Sequence, residues 1–393
     1  MNIVSKFSNY KIIIRKPFDE IIIKFCENLS KEIMKNKKYN IYPDLKQFGF
    51  WCRKKNLIKF KKNNTRNNLN LLGRGLAFHV PPSNVPMNFA YTTLFGLLSG
   101  CTNVIRIPTR KFNEIDQLIS IINKNLKLKQ FRSIKNMIHF IRYEKSDKIS
   151  LHLSKISDVR LIWGGDETIK RFKEYPTKLK NVDLMFPSKT SGCIIDCSKL
   201  LKIKNEKFIN FINNFYNDVY TFDQMGCSSP KVIYWIKNSK NSDKVIENFW
   251  DELSNLIKKK YENNLPETNK KLKLLQNISI KNNFTYYLNK NKKNFYLTRL
   301  YSKKIIINKP EDEIGFGTFQ EFKIRKLEAV KKLIPTNFQT LTYFGIKKRD
   351  LLRFIYNNEI NNINRIVPVG SAFNMNLFWD GYDIVSSMTK VIE

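Results

Sequence analysis

The chain has 393 residues, of which 42% are hydrophobic and 26% are charged. A chain of this length is too long to fold around one compact core, so we expect two domains. The hydrophobic content excludes a disordered chain. The net charge of +36 is carried mainly by lysines scattered among asparagines and isoleucines, which indicates a compositional bias, so we expect no specific nucleic-acid partner.

The cysteines also limit the class of protein. Six cysteines show no CxxC pair, and the chain has only three histidines, so we expect no metal site. Reduced thiols in a cytoplasmic protein follow from the same spacing. The longest apolar run, 87–105, is interrupted by polar residues and predicts a buried helix, turn and strand instead of a membrane span.

Residues 1–70 are rich in lysine and asparagine, and we expect a peripheral N-terminal layer. The apolar patterns predict a strand over Tyr10–Ile14 and helices over Phe18–Ile33 and Asp44–Leu57.

A β-α-β unit comes next. Residues 72–80 predict a strand that stops at two prolines, 87–99 predict a helix that ends at Gly100, and 103–107 predict the next strand. Ligands bind at the carboxyl end of such sheets, where Asn84 would lie.

A second turn with a candidate binding role follows the predicted strand Val159–Trp163. Gly164 and Gly165 stand between this strand and a helix start near Thr168, which would let a phosphate-bearing ligand approach backbone N–H groups. Ordinary turn chemistry explains the two glycines equally well.

The stretch from Phe222 to Pro230 places Cys227 on a short polar turn. A helical pattern precedes it over 208–216, and Lys231–Ile236 predicts a buried strand after it. Backbone N–H groups at such a junction can stabilise a thiolate, and also an oxyanion on a bound carbonyl. The alternative is a small hydrophobic residue in a loop.

The remaining patterns are simpler. They predict a strand over Gly192–Asp196, a helix over Val245–Glu262, a polar and peripheral segment over Lys270–Asn283, and strands over Tyr296–Leu300 and Ser302–Asn308.

Five blocks, in this order, resemble the LuxC-type long-chain acyl-CoA reductases of the aldehyde dehydrogenase superfamily. They are Pro82–Pro86, Trp163–Thr168, Asp223–Pro230, Gln339-Thr340 and Trp379–Asp383.

The resemblance implies an α/β fold with a Rossmann-type cofactor domain and an α/β catalytic domain. Its expected domains are the peripheral layer 1–70, a dinucleotide-binding domain over 71–200, a catalytic domain over 201–345 that carries Cys227, and a C-terminal segment over 346–393. That segment would return to the cofactor domain or to a subunit interface, and we expect a homo-oligomer.

The resemblance also implies roles for single residues. Cys227 resembles the nucleophile, and Asn84 resembles the side-chain amide of the oxyanion hole, although Asn84 could instead cap a turn between prolines. Gly164, Gly165 and Thr168 resemble the turn that lies against the dinucleotide. Glu321 resembles the ribose-binding glutamate only weakly.

Two departures from the superfamily indicate the direction of the reaction and the cofactor. Met185 stands where hydrolytic relatives carry the water-activating glutamate, which favours reduction of an acyl group over its hydrolysis. Arg106 and Thr109, followed by Arg110, replace the lysine and glutamate that hold the ribose of NAD, which favours NADPH. The alternative for the arginines is solvated side chains at a strand end.

The resulting hypothesis is an NADPH-dependent reductase that forms a fatty aldehyde from acyl-CoA, or from an acyl group delivered by a partner enzyme. An enzyme acting on acyl phosphates and a non-catalytic basic binding protein remain alternatives.

Overall fold

The chain forms two compact units. The computed structural model describes residues 10–63, 69–82, 85–144, 147–261, 265–282, 287–288, 295–307 and 314–393. The first unit is Met1–Pro187 with Met375–Glu393, and the second is Ser188–Asn374. These bounds differ from the expected ones, because the strand over 190–196 and the segment 346–374 both belong to the second unit.

The first unit is built from alternating helices and strands. In chain order the elements before Pro187 are α1 (Glu20–Lys35), α2 (Pro43–Trp51), α3 (Lys54–Asn63), β1 (Leu71–Gly73), β2 (Leu76–Val80), α4 (Asn88–Leu98), β3 (Thr102–Arg106), α5 (Asn113–Leu126), β4 (Ile138–Ile141), α6 (Asp147–Ile156), β5 (Val159–Trp163), α7 (Asp166–Glu174) and β6 (Val182–Phe186).

Five of these strands form a parallel sheet in the order β4-β3-β2-β5-β6. Every residue of β2 and β5 is buried, as expected for parallel strands that helices cover on both faces. The winding reverses between β2 and β5. In doubly wound sheets, ligands bind at the carboxyl edge beside this reversal.

A buried polar cluster joins the β-α-β unit. The ring nitrogens of His79 lie 2.7 Å from Thr92 Oγ1 and 3.0 Å from Asn103 Oδ1. Burial lowers the pKa of His79 to about 4, so the imidazole is neutral and structural.

The described part of residues 1–70, which is 10–63 and 69–70, is less peripheral than expected. Phe25 of α1 and Phe48 of α2 are buried in the same hydrophobic cluster as Phe95 of α4. The predicted strand over Tyr10–Ile14 is wrong, because Ile13 bonds the Thr102 side chain instead of a neighbouring strand. The predicted helix over 44–57 is two helices, α2 and α3, since the chain turns after Trp51.

The second unit contains β7 (Thr190–Asp196), α8 (Cys197–Leu201), α9 (Asn205–Tyr220), β8 (Pro230–Ile236), α10 (Ser242–Lys260), α11 (Leu265–Asn282), β9 (Tyr287–Leu288), β10 (Thr298–Tyr301), β11 (Thr318–Ile324), β12 (Phe338–Phe344), α12 (Lys348–Asn357) and β13 (Arg365–Pro368). Among residues 302–307 no strand forms, so the prediction over Ser302–Asn308 is wrong for these residues; Asn308 lies outside the described ranges.

A seven-stranded sheet has the order β13-β12-β7-β8-β11-β10-β9. All neighbours are parallel except β9 and β10. Alternate residues of β8 face opposite sides: Ile233 and Trp235 pack with helices α9 and α10, whereas Val232 and Tyr234 pack with α12. Both faces are therefore covered by helices.

The C-terminal segment belongs to the first unit from Met375 onward. It forms β14 (Phe378–Trp379), β15 (Tyr382–Asp383), α13 (Ile384–Ser387) and β16 (Thr389–Val391). The hairpin turn between β14 and β15 uses Asp380 and Gly381 at positive φ, the backbone of a tight hairpin turn. Strand β16 pairs antiparallel with β1.

Removal of the partner of buried Arg160 should destabilise the first unit. The Arg160 guanidinium donates to both carboxylate oxygens of Asp183 and to the Phe172 carbonyl. We expect Asp183→Ala to lower the free energy of unfolding by about 3 kcal/mol, because a buried charge loses its partner. Denaturant titration checks this value. Asp116→Ala, which removes the exposed partner of Arg142, should cost less than about 1 kcal/mol, and equal losses would contradict the prediction.

Candidate active site

The turn that carries Cys227 connects the end of α9 to the start of β8. Asp223 and Gln224 lie in the left-handed region, with φ of 53° and 61°. This conformation costs a residue other than glycine about 1 kcal/mol. Cys227 is exposed at the end of the turn, so the predicted position at the edge of the apolar pattern is confirmed.

The Gln224 side chain fixes this turn to the sheet. Its amide nitrogen donates to the carbonyls of Pro230 and Thr318, each at 2.9 Å. Its carbonyl oxygen accepts from the Thr318 N–H at 2.9 Å. Gln224 is fully buried. The turn is therefore tied to the first residues of both β8 and β11.

A second set of contacts joins the Cys227 block to the Gln339-Thr340 block. Ser191 Oγ donates to the Cys227 carbonyl at 2.5 Å and accepts from the Thr340 N–H at 3.1 Å. Ser228 Oγ donates to Gln339 Oε1 at 3.2 Å. Two blocks that lie more than a hundred residues apart thus form one structure at the amino ends of β7, β8 and β12.

The Phe373 ring packs directly on the turn. A Cβ atom at Gly226 would lie 2.6 Å from Phe373 Cε1, so a larger residue here would have to displace the Phe373 ring. The loop that carries the ring is held by Asp218, whose carboxylate accepts from the N–H groups of Gly370 and Ala372 at 2.6 and 2.9 Å. The sequence patterns did not indicate this support, because residues near 370 lie far from Asp218 in the chain.

The other five cysteines are buried and differ chemically from Cys227. Burial raises the pKa of Cys26 and Cys197 to about 12. It also raises the pKa of Cys52, Cys101 and Cys193. These groups remain thiols at neutral pH, and a thiol is a poor nucleophile.

The predicted cofactor residues lie at the carboxyl edge of the five-stranded sheet. Gly164 and Gly165 follow β5 directly, and Thr168 lies in the first turn of α7. A Cβ atom at Gly164 would lie 3.0 Å from Thr168 Cβ, so glycine permits close packing of helix on strand. Asp166 and Glu167 make this helix start acidic, which disfavours a phosphate at this helix N-terminus.

The predicted arginines lie at the same carboxyl edge of the five-stranded sheet, where β3 ends. Arg106 ends β3, and its guanidinium lies 4.7 Å from the centre of the Tyr143 ring. Thr109 and Arg110 are exposed, and Arg110 lies 5.0 Å from the centre of the Phe112 ring. This edge therefore carries positive charge two strands away from the acidic start of α7.

An aromatic cluster joins the Trp163 and Trp379 blocks. The rings of Trp163 and Phe186 are stacked, with centres 3.8 Å apart. Trp379 lies 6.5 Å from Trp163, and Tyr382 lies 5.4 Å from Phe186. The C-terminal hairpin thus packs beside the ends of β5 and β6, a contact that periodicity alone does not indicate.

Met185 lies in β6, is 9% exposed and packs in a hydrophobic cluster with Ile162, so it is a packing residue. Glu321 accepts hydrogen bonds from Trp235 and Trp250 in the second unit's core, so the weak resemblance to a ribose-binding glutamate is not supported by its burial. Asn84 lies outside the described residues, and its role remains a prediction.

Among the described residues, no cluster of three or more histidine, cysteine, aspartate or glutamate side chains could hold a metal ion. No helix in the described part of the chain is long and apolar enough to cross a membrane.

Solved structures establish the fold class. The chain is similar to proline utilization A of Bradyrhizobium japonicum, with a TM-score of 0.68 and 9% identity over 96% of this chain and 42% of that chain. It is also similar to glyceraldehyde-3-phosphate dehydrogenase of Methanocaldococcus jannaschii complexed with NADP, with a TM-score of 0.63 and 13% identity over 95% and 88% of the two chains. The predicted aldehyde dehydrogenase-like α/β fold is confirmed.

The family follows from sequence. A model of the acyl-CoA reductase (LuxC) family matches residues 49–389, and the chain belongs to this family. It is 22% identical over 299 residues to "Long-chain acyl-protein thioester reductase 2" of Photobacterium leiognathi. This match covers 76% of the chain but 51% of the relative, so the chain spans about half the length of that protein.

The free energy of unfolding should depend on pH because Asp218 has a different pKa in the folded and unfolded states. Burial raises its pKa from 3.8 to about 6, against the opposing effect of its two N–H donors and Arg365. Between these pH values the folded state holds a proton that the unfolded state has lost, so the contribution of Asp218 to stability falls as the pH rises.

Asp218→Asn removes the titrating group. We therefore expect the difference in unfolding free energy, wild type minus variant, to decrease from pH 4 to about pH 6 and then to stay constant. Denaturant titrations at several pH values measure this difference. A difference that is independent of pH would contradict the prediction.

Proposed function

We propose that this protein reduces an activated fatty acyl group to an aldehyde through a thioester on Cys227. The observation that carries the proposal is the exposure of Cys227 on a turn that buried polar groups hold to the sheet, while the other five cysteines are buried. Family membership supports an acyl-CoA, or an acyl group handed over by a partner enzyme, as the acyl donor.

The first half of the proposed reaction is acyl transfer. The Cys227 thiolate attacks the carbonyl carbon of the substrate thioester, a tetrahedral oxyanion forms, and the bond to the departing thiolate breaks. The acyl group is then bound to Cys227 as a thioester. The Asn84 amide and the Cys227 backbone N–H would stabilise the oxyanion, and loss of one such donor typically costs ~3 kcal/mol of barrier.

The second half is reduction. A nicotinamide cofactor, held by Gly164, Gly165 and Thr168, would supply a hydride to the thioester carbonyl carbon. The same two donors would stabilise the resulting thiohemiacetal oxyanion, which collapses to the aldehyde and returns the thiolate of Cys227. Met185, which stands at the position of the water-activating glutamate of hydrolytic relatives, packs in a hydrophobic cluster and offers no carboxylate to activate water, which favours reduction over hydrolysis.

We propose NADPH as the cofactor. Gly164, Gly165 and Thr168 would lie against it at the carboxyl edge of the sheet. Arg106 and Arg110, with Thr109 between them in sequence, would bind the 2′-phosphate by charge-assisted hydrogen bonds. The acidic start of α7 supports placing the phosphate charge on the arginine side of this edge.

Cys227 should become acylated when the protein is incubated with a long-chain acyl-CoA and no cofactor. Peptide mass spectrometry should locate the adduct on Cys227 and on none of the buried cysteines, which act as internal controls. The Cys227→Ser variant should lose acyl-CoA reduction by at least about a thousandfold. The absence of an acyl adduct on Cys227 of the wild-type protein would contradict the proposal.

The cofactor prediction is tested by kinetics. We expect kcat/KM to be at least about tenfold higher with NADPH than with NADH, because a paired 2′-phosphate contributes more than about 1.4 kcal/mol. Arg110→Gln should reduce this ratio, whereas Arg349→Gln, which changes an exposed arginine in the second unit, should not. A preference for NADH would show that the arginines are solvated side chains.

A further inference from the structure

A fully buried lysine, Lys271, lies beside the turn formed by Phe316 and Gly317. Lys271, on α11, has no exposed surface, although this segment was expected to be peripheral. Its Nζ donates to the Phe316 carbonyl at 2.7 Å and lies 3.4 Å from the Gly317 carbonyl. The Phe295 and Tyr296 rings lie near it, with centres at 5.2 and 6.0 Å.

This environment suits a neutral amine. Burial lowers the pKa of Lys271 well below its usual range, because desolvation penalises the ammonium form. A neutral amine still donates hydrogen bonds to carbonyl oxygens. Lys271 therefore supplies a donor to the buried Phe316 carbonyl, and losing such a donor costs about 1–3 kcal/mol. The Gly317 carbonyl also accepts from the Thr298 N–H at 2.8 Å.

The carbonyls that Lys271 binds belong to a second left-handed turn. Phe316 and Gly317 have φ of 53° and 71°. A Cβ atom at Gly317 would lie 1.8 Å from the Tyr296 carbonyl oxygen, so this residue must be glycine. The left-handed Phe316 is a strained position that needs support from its surroundings.

The two left-handed turns are bonded to each other. The Phe316 N–H donates to the Asp223 carbonyl at 2.9 Å. The Thr318 N–H, one residue beyond Gly317, donates to Gln224 Oε1 at 2.9 Å. A Cβ atom at Gly315 would lie 2.6 Å from Met225 Sδ. A shift of the second turn would therefore move the turn that carries Cys227.

We propose that Lys271 is a positioning residue for Cys227: its buried amine holds the Phe316-Gly317 turn, which in turn holds Asp223 and Gln224 in place. The proposal rests on the proposed role of Cys227 as the nucleophile. Lys271 acts only through backbone groups, so its function requires a hydrogen-bond donor of suitable length and does not require a positive charge.

The rate at which iodoacetamide alkylates Cys227 tests the proposal independently of enzymatic activity. We expect Lys271→Met to slow alkylation by about tenfold or more, because displaced backbone N–H groups stabilise the thiolate less well. Lys271→Gln retains an N–H donor and should be slowed by about threefold. Lys273→Met, on the exposed side of the same helix, should react at the wild-type rate.

Acyl transfer provides the second measurement. With a long-chain acyl-CoA, Lys271→Met should lower kcat by about tenfold to a hundredfold with KM changed by less than about threefold, since a misplaced nucleophile affects the chemical step. Lys271→Gln should again lie between the wild type and Lys271→Met.

The outcomes separate the two proposals. Alkylation of Lys271→Met at the wild-type rate, or of Lys271→Gln no faster than Lys271→Met, would overturn the role of Lys271 whatever the acylation result. Absence of acylation in the wild type would overturn the role of Cys227 as an acyl carrier while leaving the alkylation comparison intact. If Lys271→Met shows no cooperative thermal transition, Lys271→Gln is compared with Lys273→Gln: slower alkylation supports the proposal, and equal rates overturn it.

Discussion

The side-chain amide of Gln224 is the interaction on which the geometry around Cys227 depends. It makes three hydrogen bonds to backbone groups of Pro230 and Thr318. Each of these bonds contributes about 1 kcal/mol, and together they offset the cost of two consecutive left-handed residues, which is about 1–2 kcal/mol each. The position of the thiol thus depends on this buried amide.

The residues around Cys227 share one edge of the seven-stranded sheet. Ser191, Pro230, Thr318 and Thr340 lie at or near the amino ends of four adjacent parallel strands. Backbone N–H groups at the amino end of a parallel strand lack part of the ladder, and they are bonded here by side chains such as Ser191 and Gln224. In the first unit the cofactor candidates lie instead at the carboxyl edge, as is typical of doubly wound sheets.

Burial shifts the pKa of the buried titratable groups, upward for acids and downward for bases. It raises the pKa of the five buried cysteines, lowers the pKa of His79 and Lys271, and raises the pKa of Asp218. In each case desolvation disfavours the charged form. The neutral lysine and the buried carboxylate both bind backbone groups, so these shifts accompany structural roles near the turn.

The sequence alone determined the family, the α/β class and most of the helices and strands, because apolar periodicity and short motifs are local properties. It also placed Cys227 correctly at the edge of the apolar pattern, and glycines at the end of β5. It failed where distant residues compete for the same segment. The predicted strand over Tyr10–Ile14 bonds a side chain instead, and the segment Lys270–Asn283, predicted to be peripheral, contains the buried Lys271. Only the tertiary structure brought Gln339 to Ser228, Phe373 to Gly226 and Trp379 to Trp163, because these contacts depend on strand order and packing, which no local pattern encodes.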